Sequence, residues 1–447
     1  MPDFPKLAAS TPQQAARRRF LTGVGAAALG STLAPAPAAL ASTVKTSARI
    51  VIVGGGAAGL AAASRLASSL QGATVTVIDG RKEHYYQPGF TLVAGGIKPQ
   101  SYVVSTTRDY MPAGTTLINE GAAEIDPEGR KVVTASGKLV PYDFLIVATG
   151  LELNYGAIAG MDTSRIGENG LGSIYHSPQA ASATWGALSR FADTGGVGVF
   201  GRPLGEMKCA GAPLKYTFIS DDHLRRRGNR GKAELHYMAQ GKTLFGVPIV
   251  AEKVRMLFQD RDIKVRPEHV LTAIDLDRRV ATYTTPIGTA EQGYDFINVV
   301  PPMRAPEVVR NSPLPWTEGV FAADGWMEVD RDTLRHKRYP NVFGVGDIAG
   351  VPKGKTAASV KWQVPVALSH LVGDITGKAS NEVYNGYTSC PLITRLGQAM
   401  LIEFDYKDNL IMSFPGVIAP LEELWISWVM KTMALKPTYM SMLRGRA

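Results

Sequence analysis

The sequence predicts an α/β fold in which two βαβ-type domains, one inserted into the other, are followed by a C-terminal segment of different character. Three observations predict it. An apolar strand, Arg49 to Val53, runs into Gly54-x-Gly56-x-x-Gly59 and an alanine-rich helical stretch to about Leu70, after which a second strand, ATVTVID, ends at Asp79. A second strand-turn, GVGVFGRPLGEMKCAGAPLK from Gly196 to Lys215, opens another alternation: a helix near 212–226, a strand at 233–238, a helix near 248–259 and strands near 263–284. Near residue 340 the strand NVFGVGD returns, followed by a long helix from about Lys355. Short apolar runs bounded by glycine read as buried strands, and the 3.6-residue periodicities between them as helices.

At 447 residues the chain is too long for one ordinary core. Its 45% hydrophobic and 19% charged content excludes a disordered chain. The N-terminus is set apart: Arg17-Arg18-Arg19-Phe20-Leu21, an apolar run to Leu33 and an Ala39-Leu40-Ala41 exit resemble a twin-arginine-type signal over 1–41. That reading places the protein in the periplasm, peripheral on the cytoplasmic membrane, exported after folding around a cofactor. The expected parts are then 42–160 and 321–390 for the first domain, 161–320 for the inserted one, and 391–447 for the C-terminal region.

The net charge is +9, and the first 41 residues hold four basic residues against one acid, leaving about +6 for the rest. This mild excess favours an anionic surface or substrate. No interleaving of basic and aromatic residues points to nucleic acid as a partner. The two cysteines, 181 residues apart, exclude a CxxC motif, and no His/Cys cluster has metal-ligand spacing. On count alone, two cysteines in an exported chain make one structural bridge.

In the first turn each glycine has its own task. Gly54 makes the turn, Gly56 lets backbone approach a pyrophosphate, and Gly59 lets helix and strand pack closely. Ala57 and Ala58 open the helix whose N-terminus favours phosphate, and Asp79, 20 residues after the last glycine, is placed for an adenosine ribose. LIVATG, ending at Gly150, and YPNVFGVGD, ending at Asp347, complete three signatures in order. With them the chain resembles the glutathione-reductase-like superfamily, which has two Rossmann-like domains of the dinucleotide-binding type. The resemblance implies FAD at the first site, with Asp347 on its ribityl–phosphate chain.

The second turn departs from that pattern. Arg202, Pro203 and Leu204 stand where G-x-G-x-x-G would continue, so a pyridine nucleotide is not the expected reductant. The stretches EHYYQPGFTLVAGG, KCAGAPLK, NVVPPMRAPEVV, YPNVFGVGDIAGVPKGKTAASV and GYTSCPLIT together resemble sulfide:quinone oxidoreductases, particularly the mitochondrial-like group. The resemblance implies that Cys209 and Cys390 form a redox-active disulfide facing the flavin. Hydrosulfide would open it, leaving a persulfide on Cys390, and the Cys209 thiolate would pass two electrons to the flavin. A small sulfur acceptor would then take the sulfane sulfur and membrane quinone the electrons. It also implies FAD contacts at Gln87, Ala122 and Thr356, Ala357 and Ala358, with Lys355 opening the long helix toward the flavin N1/C2=O edge. His84 and His176 read first as structural histidines and second as proton relays. Two other readings are weighed: the flavoprotein subunit of flavocytochrome c sulfide dehydrogenase, which uses a further cysteine to attach FAD, and an FAD-bound binding protein with a structural disulfide. No such further cysteine exists near HYYQPGF, so FAD is expected to be non-covalent.

The C-terminal stretch sets Leu421, Leu424, Trp425, Trp428, Val429 and Met433 on one helical stripe, with Lys431, Lys436, Arg444 and Arg446 as a basic complement. It is too short and charged to span a bilayer and suits a helix lying in the interface, core packing or a homo-oligomer contact being the alternatives. Phe404 and Tyr406 are candidates for touching quinone.

Overall fold

The computed structural model describes residues 43–446, so the expected signal lies outside the described residues. Strand β1 (Arg49–Val53) is buried through Ile50, Val51 and Ile52, as a strand covered on both faces must be. It is followed by α1 (Ala57–Ser69), β2 (Thr74–Ile78), β3 (Thr116–Ile118) and β4 (Phe144–Val147). Ala58, Ala61, Ala62 and Ala63 form the buried side of α1, and their small size brings the helix close to the sheet.

The chain then leaves this sheet and builds a second: β5 (Leu171–Gly172), α2 (Pro178–Thr194), β6 (Gly196–Gly201), α3 (Ala212–Arg226), β7 (Ala233–Met238), α4 (Pro248–Asp260), β8 (Ile263–Arg266) and β9 (Phe296–Asn298). The second sheet is ordered β5-β9-β6-β7-β8 and is parallel throughout. Return is marked by β10 (Val342–Gly344), which pairs in parallel with β4 and completes a first sheet ordered β10-β4-β1-β2-β3. The α/β class with two such sheets is therefore as the sequence predicts.

Helix α5 (Ala357–Thr376) follows, then an antiparallel hairpin of β11 (Thr388–Arg395) and β12 (Gln398–Phe404). Lys355 does not open α5. Thr356 is its N-cap, with Oγ1 accepting from the Ser359 amide at 3.1 Å. The chain ends in α6 (Trp425–Val429), a π turn at Met430–Ala434 and α7 (Leu435–Leu443). This terminal stretch is built into the molecule: Ser64 Oγ of α1 donates to the Leu443 carbonyl at 2.6 Å, and Glu423 is held by Arg261 at 2.8 Å and Arg395 at 3.2 Å. Among the described residues no helix is long and apolar enough to cross a membrane.

Candidate active site

Cys209 sits in the turn between β6 and α3, at a left-handed φ of 48°. Its amide donates to the Lys355 carbonyl at 2.9 Å, and its own carbonyl accepts from the Ala212 amide at 2.7 Å and the Tyr175 hydroxyl at 3.1 Å. These bonds hold the cysteine just before the N-terminus of α3, where the helix dipole favours a thiolate. Cys390 lies on β11, opposite Ile402 of β12. A Cβ on Gly211 would overlap the Cys390 sulfur, so only glycine lets the strand approach the start of α3 this closely. Both are free thiols, close enough to shift each other's ionisation. Cys390, aided by the charges of Lys215 and Lys431, draws the Cys209 thiol down against the opposing effect of burial. Cys209 and burial push Cys390 well above the ordinary range.

Lys215, in the first turn of α3, is 1% exposed, and Lys431, in the π turn, is 3% exposed. Neither pairs with a carboxylate among the described residues. The Lys431 amine donates to the Pro88 carbonyl at 2.7 Å and is drawn down to about 7 by burial and by Lys215. Lys208 Nζ donates to Gln87 Oε1 at 2.6 Å, and burial lowers its pKa.

Cys209, Lys208, Lys215 and Lys431 line a cavity of about 610 Å³. Its walls include Gly56, Ala57, Ala58, Gln87, Gly150, Asp347, Lys355, Thr356, Ala357 and Ala358. Gly54 and Gly59 lie behind the turn. Gly54 has φ 108°, and a Cβ on Gly59 would overlap the Gly54 carbonyl oxygen. At Gly56, by contrast, the nearest atom a Cβ would meet is in the Arg81 guanidinium, 3.7 Å away. The first amides of α1 carry no side-chain cap, which leaves donors for an anion. The hydroxyls of Tyr86, Thr91 and Thr149 are buried along the cavity without a partner. A polar dinucleotide is the kind of group that satisfies such a wall, so the residues fit FAD.

Two expected contacts are placed differently. The Asp79 carboxylate accepts from the amides of Gly55 and Arg81 and pairs with the Arg81 guanidinium at 3.0 Å, and it is Arg81 that lines the cavity. Ala122 lies in an edge strand paired with Thr134, away from the cavity wall. Lys355 Nζ donates to the carbonyls of Asp347 (2.7 Å) and Ala349 (2.9 Å), sits 3.7 Å over the Trp326 ring, and is drawn down to about 8 by burial. Burial also raises the Asp347 carboxyl. His84 bonds the Tyr439 hydroxyl at 2.7 Å and is drawn down to about 4 by burial, so it stays neutral. His176 stands at the surface beside Ser177.

At the end of β6, where a second dinucleotide would lie, the space is about 30 Å³, walled by Arg202, Pro203 and Leu204. The hairpin adds Ser389, Pro391, Leu401 and Glu403 to the wall of the large cavity, which Tyr387, Ser413, Trp362 and Phe414 also line. Phe404 packs on Phe245 and Tyr406 bonds the Arg331 carbonyl, so neither expected quinone candidate lines the cavity.

Residues 48–201 match the pyridine nucleotide-disulphide oxidoreductase family. The chain is 35% identical to the mitochondrial sulfide:quinone oxidoreductase of Dictyostelium discoideum over 90% of its own length and 87% of that protein's. The chain belongs to the sulfide:quinone oxidoreductase family. The mitochondrial sulfide:quinone oxidoreductase of Mus musculus is 34% identical over 83% of this chain and 81% of its own. The crystal structure of sulfide:quinone oxidoreductase from Aquifex aeolicus superposes with a TM-score of 0.72 at 23% identity, over 89% of this chain and 92% of that one.

The relatives correct one expectation. Both are mitochondrial by name, which points to a mitochondrial membrane and overturns the periplasmic location and its twin-arginine route. The reason lies in composition: an arginine-bearing, alanine-rich, acid-poor leader suits an organellar transit segment as well as an export signal.

Four polar residues escaped the sequence reading. Lys215 is the last residue of KCAGAPLK, six residues past the cysteine, and that proximity was its signal. Lys431 was read as part of the basic complement of an interfacial helix; Arg81 and Glu403 carried no signal of their own.

Proposed function

We propose that this chain oxidises sulfide to sulfane sulfur and reduces membrane quinone, through a Cys209–Cys390 disulfide and a persulfide on Cys390. The observation that carries it is the approach of the two thiols beside Lys215 and Lys431, with Cys209 on the wall of a cavity that fits FAD. The buried lysines attract hydrosulfide into the site. In the disulfide form, hydrosulfide forms a bond to Cys390 Sγ as the S–S bond breaks and Cys209 leaves as thiolate. Cys209 is the better leaving group because the start of α3 and the two lysines stabilise its anion. FAD, when bound, supplies the two-electron carrier between sulfur and quinone. Both cysteines are used at the sulfur pair, so the cofactor is held without a covalent bond. Arg81, Asp347 and the first turns of α1 and α5 would hold it, and Tyr175 fixes the Cys209 backbone. Once a small acceptor has removed the sulfane sulfur, both cysteines are thiolates, and re-forming their disulfide releases the two electrons that FAD, when bound, would carry to quinone.

The same end of the molecule supports attachment to a membrane. Met412, Phe414, Val417 and Met433 are exposed apolar side chains, three of them on or beside residues that line the cavity. The test is anaerobic: sulfide should bleach the bound flavin of purified protein and short-chain quinone should restore it, whereas NADH should do neither. Rapid bleaching by NADH with none by sulfide would refute the reading.

A further inference from the structure

Glu403 of β12 is a carboxylate buried to 4% exposure, and its partners are all neutral. The Tyr387 hydroxyl donates to Oε1, the Ser413 hydroxyl donates to the same oxygen at 2.7 Å, and the Ser413 amide donates to Oε2 at 3.2 Å. Among the described residues no lysine or arginine pairs with it. An ionisable group kept from water without a counter-charge is costly, and such groups concentrate at functional sites. The sulfur chemistry leaves this one unused.

The hairpin explains where it stands. Strand pleating turns alternate residues to opposite faces. Glu403 lies across from Ser389, and Leu401 from Pro391; these four line the cavity. Cys390 and its cross-strand neighbour Ile402 belong to the other face, toward Gly211. The hairpin thus turns Cys390 to one face and Glu403 to the other, and Glu403 opens into the cavity that Cys209 also lines. On the Glu403 side, Trp362 lies 5.4 Å from the Tyr387 ring, and Trp362 and Phe414 are about half exposed at the mouth. Aromatic walls ending in a carboxyl suit a flat ring that carries carbonyl oxygens.

We propose that Glu403 is the proton donor for quinone reduction, oriented by Tyr387 and Ser413; this rests on the quinone reading above. A quinone takes two electrons and two protons to become hydroquinone. The electrons originate in the oxidised sulfide. As they arrive, the Glu403 carboxylate takes up a proton from solvent at the mouth, and its new O–H bond breaks as an O–H bond forms at the quinone oxygen. Water at the mouth then reprotonates the carboxylate, and the second proton follows the same route.

The experiment uses purified holoenzyme, reduced anaerobically with sulfide and mixed with a short-chain ubiquinone or with ferricyanide, which accepts electrons without protons. E403Q should slow reoxidation by quinone about a hundredfold, the size of a general-acid contribution. It should leave bleaching by sulfide and reoxidation by ferricyanide within about twofold, and E403D should recover at least about a tenth of the quinone rate. Infrared difference spectra on adding quinone should show a perturbed carboxyl band that E403Q lacks. Quinone reoxidation at the wild-type rate in E403Q, or equal slowing with ferricyanide, would overturn the proposal. Should E403Q fail to fold, Y387F with S413A serves instead, and an unchanged quinone step there would overturn it equally. Failure of the underlying reading shows separately, as wild-type protein that quinone does not reoxidise.

Discussion

Two turns in this molecule follow the same plan and end in opposite chemistry. Each is a buried parallel strand, a glycine-containing turn and a helix: β1 to α1, and β6 to α3. At the first, small residues leave the helix N-terminus facing a cavity of about 610 Å³; at the second, Arg202, Pro203 and Leu204 leave about 30 Å³. A helix N-terminus favours any anion. Side-chain size and backbone spacing in the turn together decide whether that anion is a phosphate brought by a cofactor or a thiolate supplied by the chain. Topology is shared; occupancy is set by a handful of atoms.

The contrast breaks most sharply at Cys209. C209S should slow sulfide-driven bleaching by at least about a thousandfold, as losing a nucleophile or its leaving group does, while flavin content stays normal. Stopped-flow bleaching with a flavin-to-protein ratio measures both, and bleaching at the wild-type rate would remove the second turn from the chemistry.

The mirror experiment falls on the first turn. G54A meets a φ of 108° and the Ala148 carbonyl, so flavin content should drop by more than about tenfold. Normal flavin occupancy in purified G54A would mean that this turn does not govern cofactor binding.

A third change sharpens what the lysines add. Lys431, with its amine drawn down to about 7, is charged below that pH and neutral above it. Rates expressed per hydrosulfide should therefore fall as pH rises through about 7, and K431M should lose that limb while kcat/KM for sulfide drops about tenfold. An unchanged limb in K431M would assign it elsewhere.

The smallest effect is expected from widening the second turn. R202A with L204G should change NADH-driven bleaching by less than about twofold, because backbone spacing as well as side chains excludes a pyrophosphate there. A Cβ on Gly201 would already lie 2.7 Å from the Met238 carbonyl. NADH activity appearing in this variant would show that side chains alone closed the site.

Legibility followed the range of the interactions involved. The strand 233–238 and the helix 212–226 are found at their expected bounds, since Pro213 at a helix start and β-type residues in a strand act locally. The C-terminal helix went astray at its start, where Leu421 and Leu424 precede α6, and again over one turn. A 3.6-residue stripe assumes an unbroken α-helix, and the π turn at Met430–Ala434 shifts the phase. Lys431 and Thr432 are turned inward while Met433 is 66% exposed. Asp79 was read toward a ribose because the motif places an acid there; nothing in that spacing reveals Arg81 folding back onto it two residues later.

The sulfur pair and the proton site belong to a longer range still. The glycine turn, the missing second turn and the two-sheet α/β class are properties of short windows, where sterics and φ restrictions act between near neighbours. The contact of Cys209 with Cys390, the burial of Lys431 beside them and the placing of Glu403 on the far face of the hairpin depend on strand register and helix phase. Those are set when segments distant in sequence pack against one another, because a one-residue shift in either turns a side chain to the opposite face.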